Sequence, residues 1–210
     1  MNYTGCSFID SVIGREPVTV LIYGEAAAGK TALLLHIARR LSLNGFRSIF
    51  ISTEGSMYMA RVASNAQDYE NVIFTEVYSL DEQIAYSLIT LVLKSMDFKA
   101  LFIDSINSLY RLEAYSEYSI EKLGLNASLM RKWAEERVGA VFASAQVRAI
   151  DEGDVTVSGM KVLEYWFDVI LQLTKSNGGR VLRVLKPHNF SEKRILFEIS
   201  SQGVTWIEPC

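Results

Sequence analysis

Cysteine is scarce in this sequence, and its two cysteines, Cys6 and Cys210, stand at opposite ends of the chain. Two cysteines this far apart make neither a metal-ligand cluster nor the framework of a disulfide-stapled domain, so both classes are excluded. We expect both side chains to be free thiols in a reducing cytosol, where disulfides are rare.

Proline, long apolar runs and an excess of charge are lacking as well. The 3 prolines leave no obvious linker, so residues 1–210 are expected to form a single domain. No apolar run could span a bilayer, and residues 1–10 lack the pattern of a signal peptide. We therefore expect a cytoplasmic protein with no membrane partner. The net charge of −3 gives no overall attraction to DNA, so DNA binding would need a local basic cluster.

The pattern of apolar residues predicts an α/β fold. Hydrophobic residues make up 50% of the chain, which is enough for a large core. As far as Tyr165, continuous apolar runs alternate with stretches of helical spacing. This alternation indicates a mostly parallel central sheet with helices on both faces. After Tyr165 the strand-like runs have no helices between them, so antiparallel strands are expected at the C-terminal end, joined by a hairpin turn at Ser176, Asn177, Gly178 and Gly179.

The predicted elements have the following bounds. Strands are expected at 18–23, 47–52, 72–77, 100–103, 139–145, 167–174, 180–186 and 193–200. Helices are expected at 31–43, 80–95 and 118–137.

The strongest motif has the pattern G-x-x-x-x-G-K-T and consists of Gly24, Glu25, Ala26, Ala27, Ala28, Gly29, Lys30 and Thr31. In a turn between a buried strand and a helix, backbone N–H groups and the helix N-terminus can bind a triphosphate. Lys30 would neutralise the β- and γ-phosphates, and the Thr31 hydroxyl would bind Mg²⁺. The alternative is a chance glycine loop with a surface lysine, which the strand–loop–helix setting disfavours.

Three further polar residues follow predicted strands. Asp104 ends an apolar run and could hold the water shell of Mg²⁺, although such an aspartate is often only a turn residue. Glu54 could orient and deprotonate the attacking water, or be an ordinary loop glutamate. Gln146 could bind the γ-phosphate and report hydrolysis, or be a polar strand end.

These elements, in this order, resemble the RecA/RadA recombinase superfamily over nearly the whole chain. The sequence is most similar to the short archaeal RadA paralogs of the RadB type, which keep only the ATPase core. The most specific likeness is residues 104–113, which match D-S-x-x-x-L-Y-R-x-E. Further likeness lies in residues 5–14, 52–56 with Arg61, 146–147 and 163–168.

The resemblance implies a RecA-like P-loop NTPase core and a role for each motif residue. Lys30 and Thr31 would bind the phosphates and Mg²⁺, and Asp104 would be the Walker B acid. Glu54 would activate water and Gln146 would sense the γ-phosphate. Arg61 would pack on the adenine, which suits a planar guanidinium.

The same likeness implies a slow ATPase that assists homologous recombination and DNA repair, with a RadA-type recombinase as its candidate partner. An alternative is a KaiC-like regulatory ATPase that acts on a protein without binding DNA. A third is an ATP-binding switch whose hydrolysis is vestigial. The Phe-x-x-Ala segment of full recombinases is missing, so we expect monomers or small oligomers rather than filaments.

Slow turnover is expected because P-loop sites often need a positive group from a neighbouring subunit. Lys186 and His188 are candidates for that group, and the alternative is that both are solvated strand-end cations.

A basic cluster near the C-terminal end could bind single-stranded DNA weakly. Its residues are Lys175, Arg180, Arg183, Lys186, Lys193 and Arg194. The loop after Gln146 adds Arg148 before it turns acidic. We expect Arg148, Lys193 and Arg194 to contact the phosphate backbone in a salt-sensitive manner. The alternative is that these cations are scattered over the exposed face of a strand.

Overall fold

The computed structural model describes residues 1–93, 96–113, 118–149, 155–176, 178–190, 193–200, 203–207 and 210. Parallel strands form the centre of its sheet. They are β1 (Val18–Gly24), β2 (Arg47–Ser52), β3 (Val72–Glu76), β4 (Phe98–Asp104), β5 (Ala140–Ala149) and β7 (Val169–Ser176). β1 lies between β5 and β7, and β4, β2 and β3 follow on the far side of β5. These strands all point the same way, so their carboxyl ends lie along one edge.

Antiparallel strands extend the sheet beyond β7. They are β8 (Gly179–Lys186), β9 (Arg194–Ser200) and β10 (Gly203–Trp206), while β6 (Val155–Val157) pairs with the end of β5. Ser176 pairs with Gly179 across the predicted hairpin, whose Asn177 lies outside the described residues. The full order is β10-β9-β8-β7-β1-β5-β4-β2-β3.

Helices cover both faces of the sheet. They are α1 (Ser7–Ile13), α2 (Lys30–Leu43), α3 (Met59–Ala63), α4 (Leu80–Val92), α5 (Ser108–Leu112), α6 (Ser119–Arg137) and α7 (Met160–Trp166). One hydrophobic core contains side chains of α1 and α2, and a second contains side chains of α4, α6 and α7. Val20 and Ile22 of β1 enter the first core and Leu21 the second. Burial on both faces explains why the central strands are continuously apolar.

The predicted class, an α/β fold with a mostly parallel sheet and antiparallel strands at its C-terminal end, is confirmed. Six short elements were not predicted, namely α1, α3, α5, α7, β6 and β10. Each is too short for its hydrophobic period to stand out from the sequence. Helix α4 ends at Val92, before the predicted limit, and residues 94–95 lie outside the description. No helix in the described part of the chain is long and apolar enough to cross a membrane.

The expectation that the cysteines are free thiols is wrong, because Cys6 and Cys210 form a disulfide with a Cα–Cα distance of 4.6 Å. Separation along the sequence says nothing about distance once the sheet has formed. The Trp206 indole donates a hydrogen bond to the Thr4 carbonyl at 3.0 Å, and the Phe8 N–H donates one to the Cys210 carbonyl at 3.2 Å. These contacts hold the last strand and Cys210 against Thr4 and the first turn of α1.

We expect reduction of this disulfide to destabilise the fold. Opening it frees the unfolded chain of a constraint that spans 204 residues, and losses of about 2–4 kcal/mol are typical. Urea denaturation with and without dithiothreitol measures the change. The Cys6→Ser variant is the control, because it should start at the lower stability and not respond to reductant. Equal stability of the wild type under both conditions would contradict the prediction.

Candidate nucleotide-binding site

The glycine-rich loop joins β1 to α2 at the carboxyl edge of the sheet, and both of its glycines are required by local geometry. A side-chain carbon at Gly24 would lie 2.2 Å from the Leu173 carbonyl oxygen of β7. Gly29 has a φ of 104°, and a side-chain carbon there would lie 2.4 Å from Cδ1 of Ile199. At Gly24 any other residue would collide with the backbone of β7, and at Gly29 the left-handed φ strains any residue that has a side chain.

Lys30 is held inside this loop. Its side chain is 8% exposed, and its Nζ donates hydrogen bonds of 2.9 Å to the carbonyls of Gly24 and Glu25. Burial lowers the pKa of the ammonium group, while the charges of Glu54 and Asp104 partly offset that effect. The ammonium group already has two carbonyl partners and two carboxylates nearby. It can exchange these carbonyls for a phosphate oxygen with little movement of the side chain.

Asp104 lies at the end of β4 and is 4% exposed. Its carboxylate accepts hydrogen bonds from the hydroxyls of Ser144 and Thr31. Burial raises the pKa of Asp104, against the lowering effect of these two hydrogen bonds. The two predicted Mg²⁺ residues, Thr31 and Asp104, are thus in contact.

The donor set suits Mg²⁺ rather than a metal that needs a cage of protein ligands. Mg²⁺ is usually bound by one or two carboxylates, water and substrate phosphates. Within the described residues, no group of three or more His, Cys, Asp or Glu could hold a metal by itself. One hydroxyl and one carboxylate beside a phosphate-binding loop fit the octahedral shell of this ion.

Glu54 and Gln146 meet across the end of the sheet. Gln146 Nε2 donates a 2.6 Å hydrogen bond to Glu54 Oε1, and Arg111 Nη1 donates one of 2.7 Å to Gln146 Oε1. Asn107 bonds to the Gln146 main chain, accepting from its N–H at 2.8 Å and donating to its carbonyl at 2.9 Å.

A cavity of about 430 Å³ connects these groups. The predicted residues that line it are Ala26, Ala27, Gly29, Lys30, Thr31, Glu54, Arg61, Asp104 and Gln146. Gly24, Glu25 and Ala28 do not line it, and Gly24 and Glu25 instead supply the carbonyls that hold Lys30. An adjoining cavity of about 400 Å³ shares Ala32, Arg61 and Ile199 with the first. The exposed Arg61 therefore lies where the two cavities meet.

The predicted DNA-contacting residues are not brought together. Arg148 is exposed beyond the carboxyl edge on β5, whereas Arg194 is exposed at the start of β9. These strands are four steps apart in the sheet order, which at about 4.8 Å per step is roughly 19 Å. Lys193 packs over the Phe8 ring, with its Nζ 4.0 Å from the ring centroid. The acidic part of the loop after Arg148, residues 151–154, lies outside the described part of the chain.

The structure disfavours Lys186 as a group that reaches another subunit. Its Nζ donates hydrogen bonds to the carbonyls of Glu164 at 2.8 Å and Phe167 at 2.7 Å. A different cation, Arg180 at the start of β8, lines the cavity of its own chain. Its side chain lies close to Gly29.

Sequence reasoning missed the roles of Asn107, Arg111 and Ser144. Asn107 and Arg111 belong to the motif at 104–113, but no local pattern shows that they contact Gln146 on another strand. Ser144 alternates with apolar residues of β5, and its contact with Asp104 depends on the pairing of β5 with β4.

Comparison with known proteins gives a consistent result. The family model described as Rad51 matches residues 3–207. The chain is 30% identical over 204 residues to the DNA repair and recombination protein RadB of Methanocaldococcus jannaschii, covering 92% of this chain and 95% of that one. It is 31% identical over 215 residues to the RadB protein of Methanosphaera stadtmanae, covering 94% and 93%. A crystal structure of the RadB recombinase superposes with a TM-score of 0.80 at 23% identity, covering 99% of this chain and 100% of that one.

We expect Asp104→Asn to stabilise the protein near neutral pH in magnesium-free buffer without nucleotide. The folded-state pKa of Asp104 lies above its unfolded value, so stability falls as pH rises from the unfolded pKa to the folded pKa. Replacing the buried carboxylate with a neutral side chain of the same shape should therefore raise the free energy of unfolding at pH 7.

Urea denaturation measures this difference, which should vanish at about pH 3 and below, where the aspartate is mostly neutral in both states. The exposed Asp97→Asn is the matched control and should change stability little at either pH. A less stable Asp104→Asn variant at pH 7 would contradict the prediction.

Proposed function

The chain belongs to the Rad51 family, and on that basis we propose that it is an accessory ATPase of homologous recombination and DNA repair that modulates a RadA-type recombinase. The proposal is carried by the convergence of Lys30, Thr31 and Asp104 on one cavity with Glu54 and Gln146. The names of the two RadB relatives support the role in recombination and repair.

Some residues of the site bind ATP and Mg²⁺, and others act in hydrolysis. The loop N–H groups and Lys30 bind the phosphates, and Arg61 packs on the adenine where the two cavities meet. Thr31 and Asp104 hold Mg²⁺, which when bound neutralises charge on the β- and γ-phosphate oxygens. Glu54 accepts the proton of the attacking water, and Gln146 contacts the γ-phosphate.

Turnover is slow in this proposal because P-loop sites often need a positive group from a neighbouring subunit. Lys186, one candidate for that group, is bound to carbonyls of its own chain and does not supply a cation to a neighbour.

The alternative of a KaiC-like regulatory ATPase has no support from the matched family or from the relatives reported above. We place the protein in the cytoplasm. The Cys6–Cys210 disulfide is unusual for a reducing cytosol, although intracellular proteins of hyperthermophiles are an exception.

We expect Glu54→Gln to bind ATP normally but to hydrolyse it about 100-fold more slowly, because the amide keeps the shape of the side chain and cannot act as a base. Phosphate release under saturating ATP measures turnover, and calorimetry measures affinity. Lys30→Ala is the contrasting variant and should lose roughly tenfold or more in affinity. Hydrolysis by Glu54→Gln at the wild-type rate would place the base elsewhere. Wild-type protein that binds ATP without any turnover would favour a switch with vestigial hydrolysis.

Weak binding of single-stranded DNA through Arg148, Lys193 and Arg194 is the remaining part of the proposal. Because Arg148 lies about 19 Å from β9, Arg148→Ala and the pair Lys193→Ala with Arg194→Ala should weaken binding independently. Each lost phosphate contact should reduce the salt slope by roughly 0.7.

Fluorescence anisotropy of labelled oligonucleotides across a salt series measures this binding, and ATP affinity should stay unchanged in both variants. Wild-type protein that does not bind DNA even at low salt would shift the proposal to a protein partner alone.

A further inference from the structure

The Gln146 amide is held between one side chain that can only donate hydrogen bonds and one that accepts them. Arg111 Nη1 lies 2.7 Å from Gln146 Oε1, and Gln146 Nε2 lies 2.6 Å from Glu54 Oε1. A guanidinium has no acceptor, and an ionised carboxylate has no donor. The amide oxygen must therefore face Arg111, and the amide N–H group must face Glu54.

Arg111 and Asn107 reach Gln146 from the same turn of chain. They are four residues apart, and the Arg111 N–H donates to the Asn107 carbonyl at 3.1 Å, so both side chains lie on one side of that turn. β4 pairs with β5 only as far as Ala143, which leaves the main chain of Gln146 without a strand partner on that side. Asn107, which is 0% exposed, takes the place of the missing strand.

The contact that Arg111 makes is not the ion pair expected of a side chain that only stabilises the fold. Within the described residues its guanidinium makes no ion pair, although acidic residues such as Glu113 are close along the chain. Its hydrogen-bond partner is instead the neutral oxygen of Gln146. Such a contact fixes an orientation, and it does so whether Glu54 is ionised or has accepted the proton of the water.

We infer that Arg111 is a positioning residue for ATP hydrolysis, which holds the Gln146 amide with its N–H group directed at Glu54 and the phosphate side of the cavity. The inference rests on the proposed function and deepens it. Without Arg111 the amide can rotate about its last torsion, which is broad and roughly two-fold. The carboxylate of Glu54 then loses the hydrogen bond that holds it in line with the water.

Kinetics of Arg111→Met test the inference. We expect kcat to fall about tenfold or more, the scale of one charge-assisted hydrogen bond, with KM for ATP changed less than about twofold. Arg111→Lys should recover much of the loss, because an ammonium can still donate to the same oxygen. Arg47→Met, an exposed site at the start of β2, is the matched control and should leave kcat unchanged.

A double-mutant cycle separates positioning from a general effect on the fold. In a Gln146→Ala background, Arg111→Met should cause no further loss of kcat, since Arg111 acts through that amide. An equal loss in both backgrounds, or a wild-type kcat for Arg111→Met, would overturn the inference. If instead Glu54→Gln hydrolyses ATP like the wild type, the assignment of the base fails, which is a separate result.

A measurement that does not depend on ATP hydrolysis gives a second test of the inference. The side-chain amide resonance of Gln146, assigned by its absence in Gln146→Ala, should shift when Glu54→Gln is introduced. In Arg111→Met protein that response should be lost, because the amide no longer keeps one orientation. An undiminished response would overturn the inference even if hydrolysis were too slow to follow.

Discussion

Parallel register is the constraint on which the site depends. Gly24 at the end of β1 is level with Gln146 on β5, and Ser52 at the end of β2 is level with Asp104 on β4. Chain segments far apart in sequence thus finish at the same height and at adjacent positions. A shift of one residue in either pairing would turn the strand-end side chains to the opposite face.

Buried polar contacts fix this register beyond what apolar packing could do. The Thr53 hydroxyl accepts a hydrogen bond from the Ser105 N–H at 2.7 Å and contacts the Ser108 hydroxyl at 2.5 Å. Ser144 joins β5 to Asp104 in the same layer. Because an unpaired polar group is costly in such a layer, the strands have few other arrangements that would satisfy it. Burial in the same layer raises the pKa of Asp104, and a bound cation would lower it again.

What the sequence could predict depended on whether the signal was local. The loop from Gly24 to Thr31 is a contiguous motif, so its place between a strand and a helix could be foreseen. Arg111 carries no local sign of its contact, since its partner lies on a strand reached only after α6. The Cys6–Cys210 pair was misjudged for the same reason: β10, which returns the chain to α1, is too short to be recognised. Arg148 and Arg194 were both expected to contact the DNA backbone, but the strand order separates them.

The hydrogen bond between Glu54 and Gln146 spans an intervening strand, since β4 lies between β2 and β5. The two side chains must bridge a gap that strand spacing sets at about 10 Å between backbones. Aspartate or asparagine would carry the same functional groups but would each fall short by roughly 1.5 Å, the length of one carbon–carbon bond. At these two positions side-chain reach matters as much as chemical identity, so a shorter homologue of either residue would be as disruptive as a change of charge.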